Sequence, residues 1–413
     1  MLFPFPPVPS EPPRVVVTGA GIVTALGVGW TQNAEGFRSG RQAFRPVTAF
    51  DAGRQRVRQA AEVDLPASLP PTRLTARHER RLDRAARQLL WAGVECWRQS
   101  GWEPTENLPL VLGTTSGGMT LGEEFLKQAQ AVPASNRRQP TRVTHYQCQR
   151  QAMSLMEALG FTGPLTIIAN ACASGANSIG HAFDLIRSGR TKRVLAGGFD
   201  GLSELVFAGF NSLQAMSPTG CRPFSADRDG LGLGEGAALL ALETLVSANQ
   251  RGAEILGELV GYGAATDVHH LTQPHPEGEA ALQSMTEACR VARIAPEQVG
   301  YINAHGTGTP LNDGAEAMAI NRWAGATAPM IRVSSTKASV GHLLGAAGSV
   351  EAVICLMALR GQWLPPSATT REIDPVCRFD FVTAPREAKL DYALTNSFGF
   401  GGANASLIFR RWS

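Results

Sequence analysis

One pattern, written twice, constrains this fold more than anything else in the chain. Thr166-Ile167-Ile168-Ala169-Asn170-Ala171-Cys172 reads as an apolar strand that ends in a turn of small residues. A helix of small residues follows, from Ala173 to about Ser188, and then the strand Arg193-Val194-Leu195-Ala196-Gly197-Gly198. The second half repeats the order. Val333-Ser334-Ser335-Thr336-Lys337 leads to a helical region from Gly341 to about Arg360, then to a strand near Tyr392-Ala393-Leu394 that runs into Ser397-Phe398-Gly399-Phe400-Gly401-Gly402. The two stretches share little residue identity, so the repeat predicts a structural duplication. Alternating strands and helices predict α/β architecture with largely buried sheets. The small residues of both helices predict close packing in a central layer. A chain of 413 residues exceeds what one core usually supports. The expected division is a loose tail over 1–13, a first half over 14–253 carrying Cys172, and a second half over 254–413, where Glu254-Ile255-Leu256-Gly257-Glu258-Leu259-Val260 opens a new strand.

Composition narrows the function classes. Charged residues are only 18% against 44% hydrophobic, which predicts extensive buried surface, a subunit interface included. A net charge of +3 is too mild for a nucleic-acid binder. Seven cysteines, with neither a CxxC pair nor metal-ligand spacing, predict buried thiols in a reducing compartment. No continuous apolar run of about 18 residues reads as a membrane span, and Met1-Leu2-Phe3-Pro4-Phe5-Pro6-Pro7 lacks the basic start of a signal peptide. A cytoplasmic protein with no membrane partner is expected. Gly19-Ala20-Gly21-Ile22-Val23-Thr24 imitates a dinucleotide fingerprint, but Thr24 stands where the third glycine belongs. A glycine-rich strand exit accounts for it better.

Cys172 is the first chemical candidate. A thiol at a helix N-terminus meets the positive end of the macrodipole, which favours a thiolate, and a sharp strand-to-helix turn lifts a nucleophile out of the packing. Three polar clusters lie in the second half: Asn303-Ala304-His305-Gly306-Thr307-Gly308-Thr309-Pro310, Thr336-Lys337-Ala338-Ser339-Val340-Gly341-His342, and Asn396-Ser397-Phe398-Gly399-Phe400-Gly401-Gly402-Ala403-Asn404. Each alone is compatible with a structural histidine, a solvated lysine or an ordinary glycine turn. His78, His145, His181, His269 and His275 read as structural or surface residues.

Taken together with Cys172, these clusters identify a resemblance. The stretches Val15–Gly27, Ala169–Gly180, Arg222–Gly236, Asn303–Pro310, Ser334–Gly348 and Asn396–Asn404 resemble the 3-oxoacyl-[acyl-carrier-protein] synthases, condensing enzymes of the thiolase-like fold, and most of all their synthase II branch. The resemblance implies two duplicated halves in a five-layered αβαβα sandwich, and a decarboxylative Claisen condensation in fatty acid or polyketide and polyene elongation. Cys172 matches the acyl-accepting nucleophile, with the backbone N–H groups of Cys172 and Phe400 as the oxyanion hole. His305 and His342 match the pair that holds the malonyl thioester oxygen. Lys337 matches the lysine that keeps the site electropositive and orients His342. Asp313 and Glu316 match an acidic pair, with Glu316 balancing Lys337. Asp313 also suits an ordinary helix cap. Thr307 and Thr309 match the residues that bind the phosphopantetheine arm. Phe400 matches a gating aromatic, Phe398 lies in the same turn as a substrate contact, and His270 falls near the pantetheine entrance. No metal and no cofactor of the enzyme's own is implied. The substrates ride on acyl carrier protein.

The same resemblance places carrier-protein docking on Arg77, Arg80 and Arg81, although the charge pattern alone equally suits a solvated helix face. Ser116 stands where many relatives carry a bulky aliphatic residue at the floor of the acyl pocket. Tyr146-Gln147-Cys148-Gln149-Arg150-Gln151 is more polar than the usual dimer stretch. Both departures point toward a dedicated polyene or polyketide role. A homodimer is the expectation, with a heterodimer as the variant. The alternative is a non-catalytic chain-length partner subunit, which usually lacks the nucleophile. A thiolase would carry a second cysteine near the C-terminal glycine turn, where this chain has none.

Overall fold

A computed structural model describes residues 11–131 and 144–412. The duplication is explicit in its strand order. The first half contributes β1 (Val15–Thr24), β2 (Leu110–Gly113), β3 (Leu165–Ile168), β4 (Arg193–Asp200) and β5 (Gly236–Thr244). The second contributes β6 (Gly257–Thr266), β7 (Tyr301–Asn303), β8 (Arg332–Ser334), β9 (Tyr392–Phe398) and β10 (Ala403–Arg410). In space they run β3-β2-β4-β5-β1 and β8-β7-β9-β10-β6, the same permutation twice. The pairing repeats as well. β2 is parallel to β3 and β4, as β7 is to β8 and β9, and the remaining neighbours within each half are antiparallel. β1 and β6 join the halves antiparallel through Val15–Val17 and Gly257–Leu259.

Helices complete the layers. α1 (Arg84–Ser100) covers the outer face of the first half. α2 (Ser174–Arg187) follows Cys172, α3 (Glu279–Ala292) and α4 (Pro310–Ala324) cover the outer face of the second half, and α5 (Ala347–Gly361) packs against α2 in the middle. Every residue from Ala347 to Leu359 is buried, as an all-round apolar helix requires. The stretch Leu344–Gly361 is long and apolar enough to cross a membrane, contrary to the expectation from continuous runs, yet 89% of it is buried inside the protein. Its apolar character is that of a core helix.

Gly19 and Gly21 correct the reading of the first strand. They lie inside β1, paired with β5, and not at its exit. A Cβ on Gly21 would fall 1.9 Å from the Ala92 carbonyl oxygen of α1, so the missing side chains let α1 lie directly on the sheet. All seven cysteines are free thiols.

Candidate active site

Cys172 sits in a 3-10 turn, Ala171–Ala173, between β3 and α2. Ala171 has φ of 56°, a left-handed conformation that costs a residue bearing a Cβ. It is pinned there: its carbonyl accepts from the Ser174 hydroxyl at 2.6 Å and the Thr115 hydroxyl at 3.2 Å. Strain held this way turns the chain sharply enough to aim the thiol inward. Cys172 is buried, and burial pushes its pKa up to about 12, against the field of Lys337 and the Phe400 N–H. The expected resting thiolate is therefore corrected. Desolvation exceeds the helix-end and lysine contributions, and the resting thiol is protonated.

The second half brings two imidazoles to this thiol. His305 leaves β7, and His342 follows a short helix, Lys337–Val340, after β8. Their ring centroids are 5.3 Å apart with planes at 85°. Burial, then the Lys337 charge, lowers both far below the ordinary imidazole range, so both are neutral. Their tautomers follow from what faces Nδ1. The Leu344 N–H donates to His342 Nδ1 at 3.2 Å, and the Lys337 ammonium lies 3.4 Å from His305 Nδ1. Neither neighbour can accept a proton, so each ring carries its hydrogen on Nε2. His342 Nε2 is buried without a partner, a donor with nothing to bind until an acceptor enters.

Lys337 contacts His305 and not His342, which corrects the expected orienting role. Its counter-ion is also not Glu316. Lys337 pairs with Glu351 on α5, and both are almost wholly buried. Glu316 instead accepts from the N–H groups of His305 at 2.9 Å and Gly306 at 2.7 Å, and from Asn396 at 3.1 Å. Burial raises its pKa to about 7. Asp313 lies one turn away on α4 and accepts from the N–H groups of Phe224, Thr307 and Gly308 at 2.8, 2.9 and 3.0 Å. Both carboxylates hold the backbone of the histidine loop from beneath. They are positioning groups, and they do not line the cavity.

A cavity of about 420 Å³ opens over the thiol, lined by Cys172, His305, His342, Thr307, Thr309, His270, Phe398 and Phe400 among others. The Thr307 and Thr309 hydroxyls are 2.8 Å apart at its wall. Phe398 packs 5.6 Å from the His305 ring. Phe400 is 41% exposed at the mouth, with Phe210 centred 6.1 Å away. Gly399 approaches so closely that a Cβ there would sit 3.2 Å from the Cys172 nitrogen, which brings the Phe400 N–H onto the sulfur. Two N–H groups beside one sulfur, facing two Nε2–H donors, can stabilise negative charge on either of two oxygens.

Ser116 does not line this cavity. It is buried, and its hydroxyl donates to Asp200 at 2.7 Å. Arg77, Arg80 and Arg81 are exposed and lie apart from the thiol. Arg80 and Arg81 line a separate groove of about 1090 Å³ with Arg45, Arg84, Arg87 and Lys127. His78 bonds Ser154 and Glu157, each at 3.1 Å, as a structural residue does.

Sequence reasoning missed Glu351, Asp200 and Phe210. Glu351 carried one usable signal, being an acidic residue inside an otherwise apolar helix. The other two had none.

Comparison with known proteins agrees with this geometry. Residues 13–248 match the family model "Beta-ketoacyl synthase, N-terminal domain", and residues 256–371 match "Beta-ketoacyl synthase, C-terminal domain". The chain is 36% identical to the 3-oxoacyl-[acyl-carrier-protein] synthase 2 of Synechocystis sp., covering 97% of this chain and 99% of that protein. It is likewise 36% identical to the Coxiella burnetii protein of the same name, with the same coverage. Among solved structures, the ishigamide ketosynthase/chain length factor superposes with a TM-score of 0.90 at 32% identity, over 97% of this chain and 100% of that one. A ketosynthase bound to a hexaketide, in complex with its type II acyl-carrier protein, superposes at 0.87 and 26% identity, with the same coverage. A thiol on a strained elbow, faced by two neutral imidazoles within a duplicated α/β sandwich, thus has its relatives by sequence and by fold alike: the chain belongs to the beta-ketoacyl synthase family.

Proposed function

We propose that this chain is a 3-oxoacyl-[acyl-carrier-protein] synthase that condenses an acyl group held on Cys172 with a malonyl group delivered by acyl carrier protein. The observation that carries this reading is the convergence of Cys172, His305 and His342 on one cavity, with both imidazoles presenting Nε2–H. In the first step Cys172 Sγ attacks the acyl thioester carbonyl, the pantetheine sulfur leaves, and the Cys172 proton passes to it. The thiol needs no resting negative charge, because the exchange is proton-neutral overall. In the second step the malonyl C–CO₂ bond breaks and CO₂ departs. The electron pair moves onto the thioester oxygen, where the two Nε2–H groups receive it. The α-carbon then attacks the Cys172 thioester, the carbonyl oxygen rests against the N–H groups of Cys172 and Phe400, and the Cys172 sulfur leaves as a thiolate that takes one proton from solvent, the proton the decarboxylative step consumes. Thr307 and Thr309 suit the amides of the pantetheine arm, with His270 and Phe398 along its approach and Phe400 at the gate.

The purified chain, given acyl- and malonyl-carrier protein, is expected to become acyl-labelled at Cys172 and to release CO₂. A chain that does neither, alone or with a partner subunit, would be a structural chain-length partner and would overturn the reading. Profiling saturated against polyunsaturated acyl chains in the same assay decides the substrate class. Better turnover of polyunsaturated chains supports a polyene or polyketide role, and equal turnover of ordinary saturated chains removes it. A second subunit is part of the proposal. β3 ends the sheet beside the nucleophile with Leu165, Ile167 and Ile168 only half buried, and an apolar edge strand of this kind calls for a covering chain. Sedimentation of the same sample as a monomer would remove it.

The arginine groove is the proposed carrier-protein dock. Among the described residues, Arg80, Arg81 and Arg87 have no carboxylate partner, whereas Arg45, Arg84 and Lys127 are paired. Asp64, Asp83, Glu123 and Glu124 also line the groove, so an acidic partner would engage it through the unpaired Arg80, Arg81 and Arg87. Arg80→Glu with Arg81→Glu is expected to raise KM for carrier-bound substrate roughly tenfold or more, since each reversed contact costs of the order of 1 kcal/mol. Cys172 alkylation should be spared. Unchanged KM would place docking elsewhere.

A further inference from the structure

Asp200 is a heavily bonded carboxylate that the reaction does not use. It ends β4 and is fully buried. Five donors converge on it: the Thr114 hydroxyl at 2.8 Å, the Thr115 and Ser116 N–H groups at 2.8 Å each, the Ser116 hydroxyl at 2.7 Å, and the Gly345 N–H at 2.7 Å. Three of the five are backbone N–H groups, which can only donate, so the site is built for the ionised form. Four donors come from the loop that leaves β2 in the first half. The fifth comes from the second half, beyond His342.

The duplication shows what that fifth contact does. Leu344–Ala346 is a 3-10 turn ahead of α5, as Ala171–Ala173 is ahead of α2. Leu344 has φ of 52°, matching the strained Ala171 at 56°. Gly345 therefore occupies, in the second elbow, the place that Cys172 occupies in the first. A Cβ at Gly345 would fall 2.6 Å from the Thr115 nitrogen and 2.7 Å from the Asp200 carboxylate, so no nucleophile fits there. The first elbow is pinned by hydroxyls on the Ala171 carbonyl. The second is pinned by Asp200 on the Gly345 N–H. The adjacent N–H, that of Leu344, is the one that sets the His342 tautomer.

We propose that Asp200 is a positioning residue that holds the second elbow in its strained turn, and through Leu344 aims His342 Nε2 at the malonyl thioester oxygen while tying it to the Thr114–Ser116 loop. A left-handed non-glycine residue persists only where its surroundings fix it, and Asp200 is the charged group that does so at Leu344. The proposal rests on the condensing reaction described above and adds a residue that touches no reacting atom. It also accounts for Ser116, whose hydroxyl is bound to Asp200 and does not serve as a polar pocket floor. Asp200 also contributes to the high pKa of the Cys172 thiol, since its negative charge opposes the thiolate.

The two effects have opposite signs, which makes the test specific. In Asp200→Asn the amide NH₂ faces N–H donors and the charge is lost. Malonyl-carrier decarboxylation, which depends on His342, is expected to fall roughly tenfold or more. Iodoacetamide alkylation of Cys172 at fixed pH is expected to rise about twofold or more, as the thiolate fraction grows. A folded Asp200→Asn that decarboxylates like the parent overturns the proposal, and so does one in which both rates fall together. Should that variant not fold, Thr114→Val with Ser116→Ala removes two of the five donors and keeps the charge. Its decarboxylation is expected to fall about threefold, and an unchanged rate overturns the proposal. The parent protein is run alongside. A parent that does not decarboxylate removes the condensing reading, while the rise in alkylation still reports on Asp200.

Discussion

Replacing His342 with alanine is expected to cut malonyl-carrier decarboxylation by about 10² to 10³, the range for removing one preorganised donor to a developing oxyanion. His342 Nε2 is buried with no partner, so the resting enzyme already bears the desolvation of that donor, of the order of 1–3 kcal/mol. The enolate oxygen is the acceptor that relieves it, and no solvent has to reorganise when it arrives. His305→Ala should cost a similar factor, with a second consequence. Lys337 would lose its neighbour at Nδ1, and the cavity over the thiol would lose one of its walls. Acylation of Cys172 should therefore survive His342→Ala better than His305→Ala. The measurement is paired: CO₂ release from malonyl-carrier protein against acyl labelling of Cys172. His342→Gln, which keeps an N–H donor, should recover part of the loss. Equal decarboxylation by the His342→Ala variant would assign the oxyanion to other donors.

Glu351→Ala is expected to destabilise the protein by about 3–5 kcal/mol, because it leaves the Lys337 ammonium buried without its counter-ion. Glu351 lies on α5 among apolar side chains, where water cannot replace the lost carboxylate. Burial raises the Glu351 pKa and the Lys337 charge opposes the rise, so the pair persists as ions only while both members are present. Lys337→Met with Glu351→Leu should regain most of the stability, as apolar replacements of buried ion pairs commonly do. It should not regain activity. Without the ammonium at Nδ1, His305 is free to carry its hydrogen on the wrong nitrogen, and half of the enolate clamp is lost. Denaturant unfolding reads the first effect and decarboxylation the second. A double variant that recovers both would show that the pair serves stability alone.

Much of the site was legible in the chain because its parts are local. Cys172, His305 and Lys337 follow strand ends and His342 follows a glycine turn, so each marks a candidate pocket residue, and their combination carried the resemblance that gave them roles. The repeat of strand, turn and small-residue helix was legible for the same reason, and the strand order bears it out. The reading failed where burial or distant pairing decided. Cys172 was expected as a thiolate from its helix end, but desolvation, which depends on everything packed around it, dominates. Glu316 was expected beside Lys337 because the resemblance implied that it balances the lysine's charge. It turned instead to the backbone of its own loop, and Glu351 took the lysine.

The sequence by itself determined the duplicated α/β plan and the sharp turn at Cys172, because turn sterics and apolar periodicity act over a few residues, and its family resemblance named the candidate reacting side chains. Only the tertiary structure decided which nitrogen of each histidine carries the hydrogen, which carboxylate neutralises Lys337, and that Asp200 bonds residues 86 and 145 positions away. Those depend on long-range packing, where a buried charge takes whichever partner the fold brings within hydrogen-bond reach.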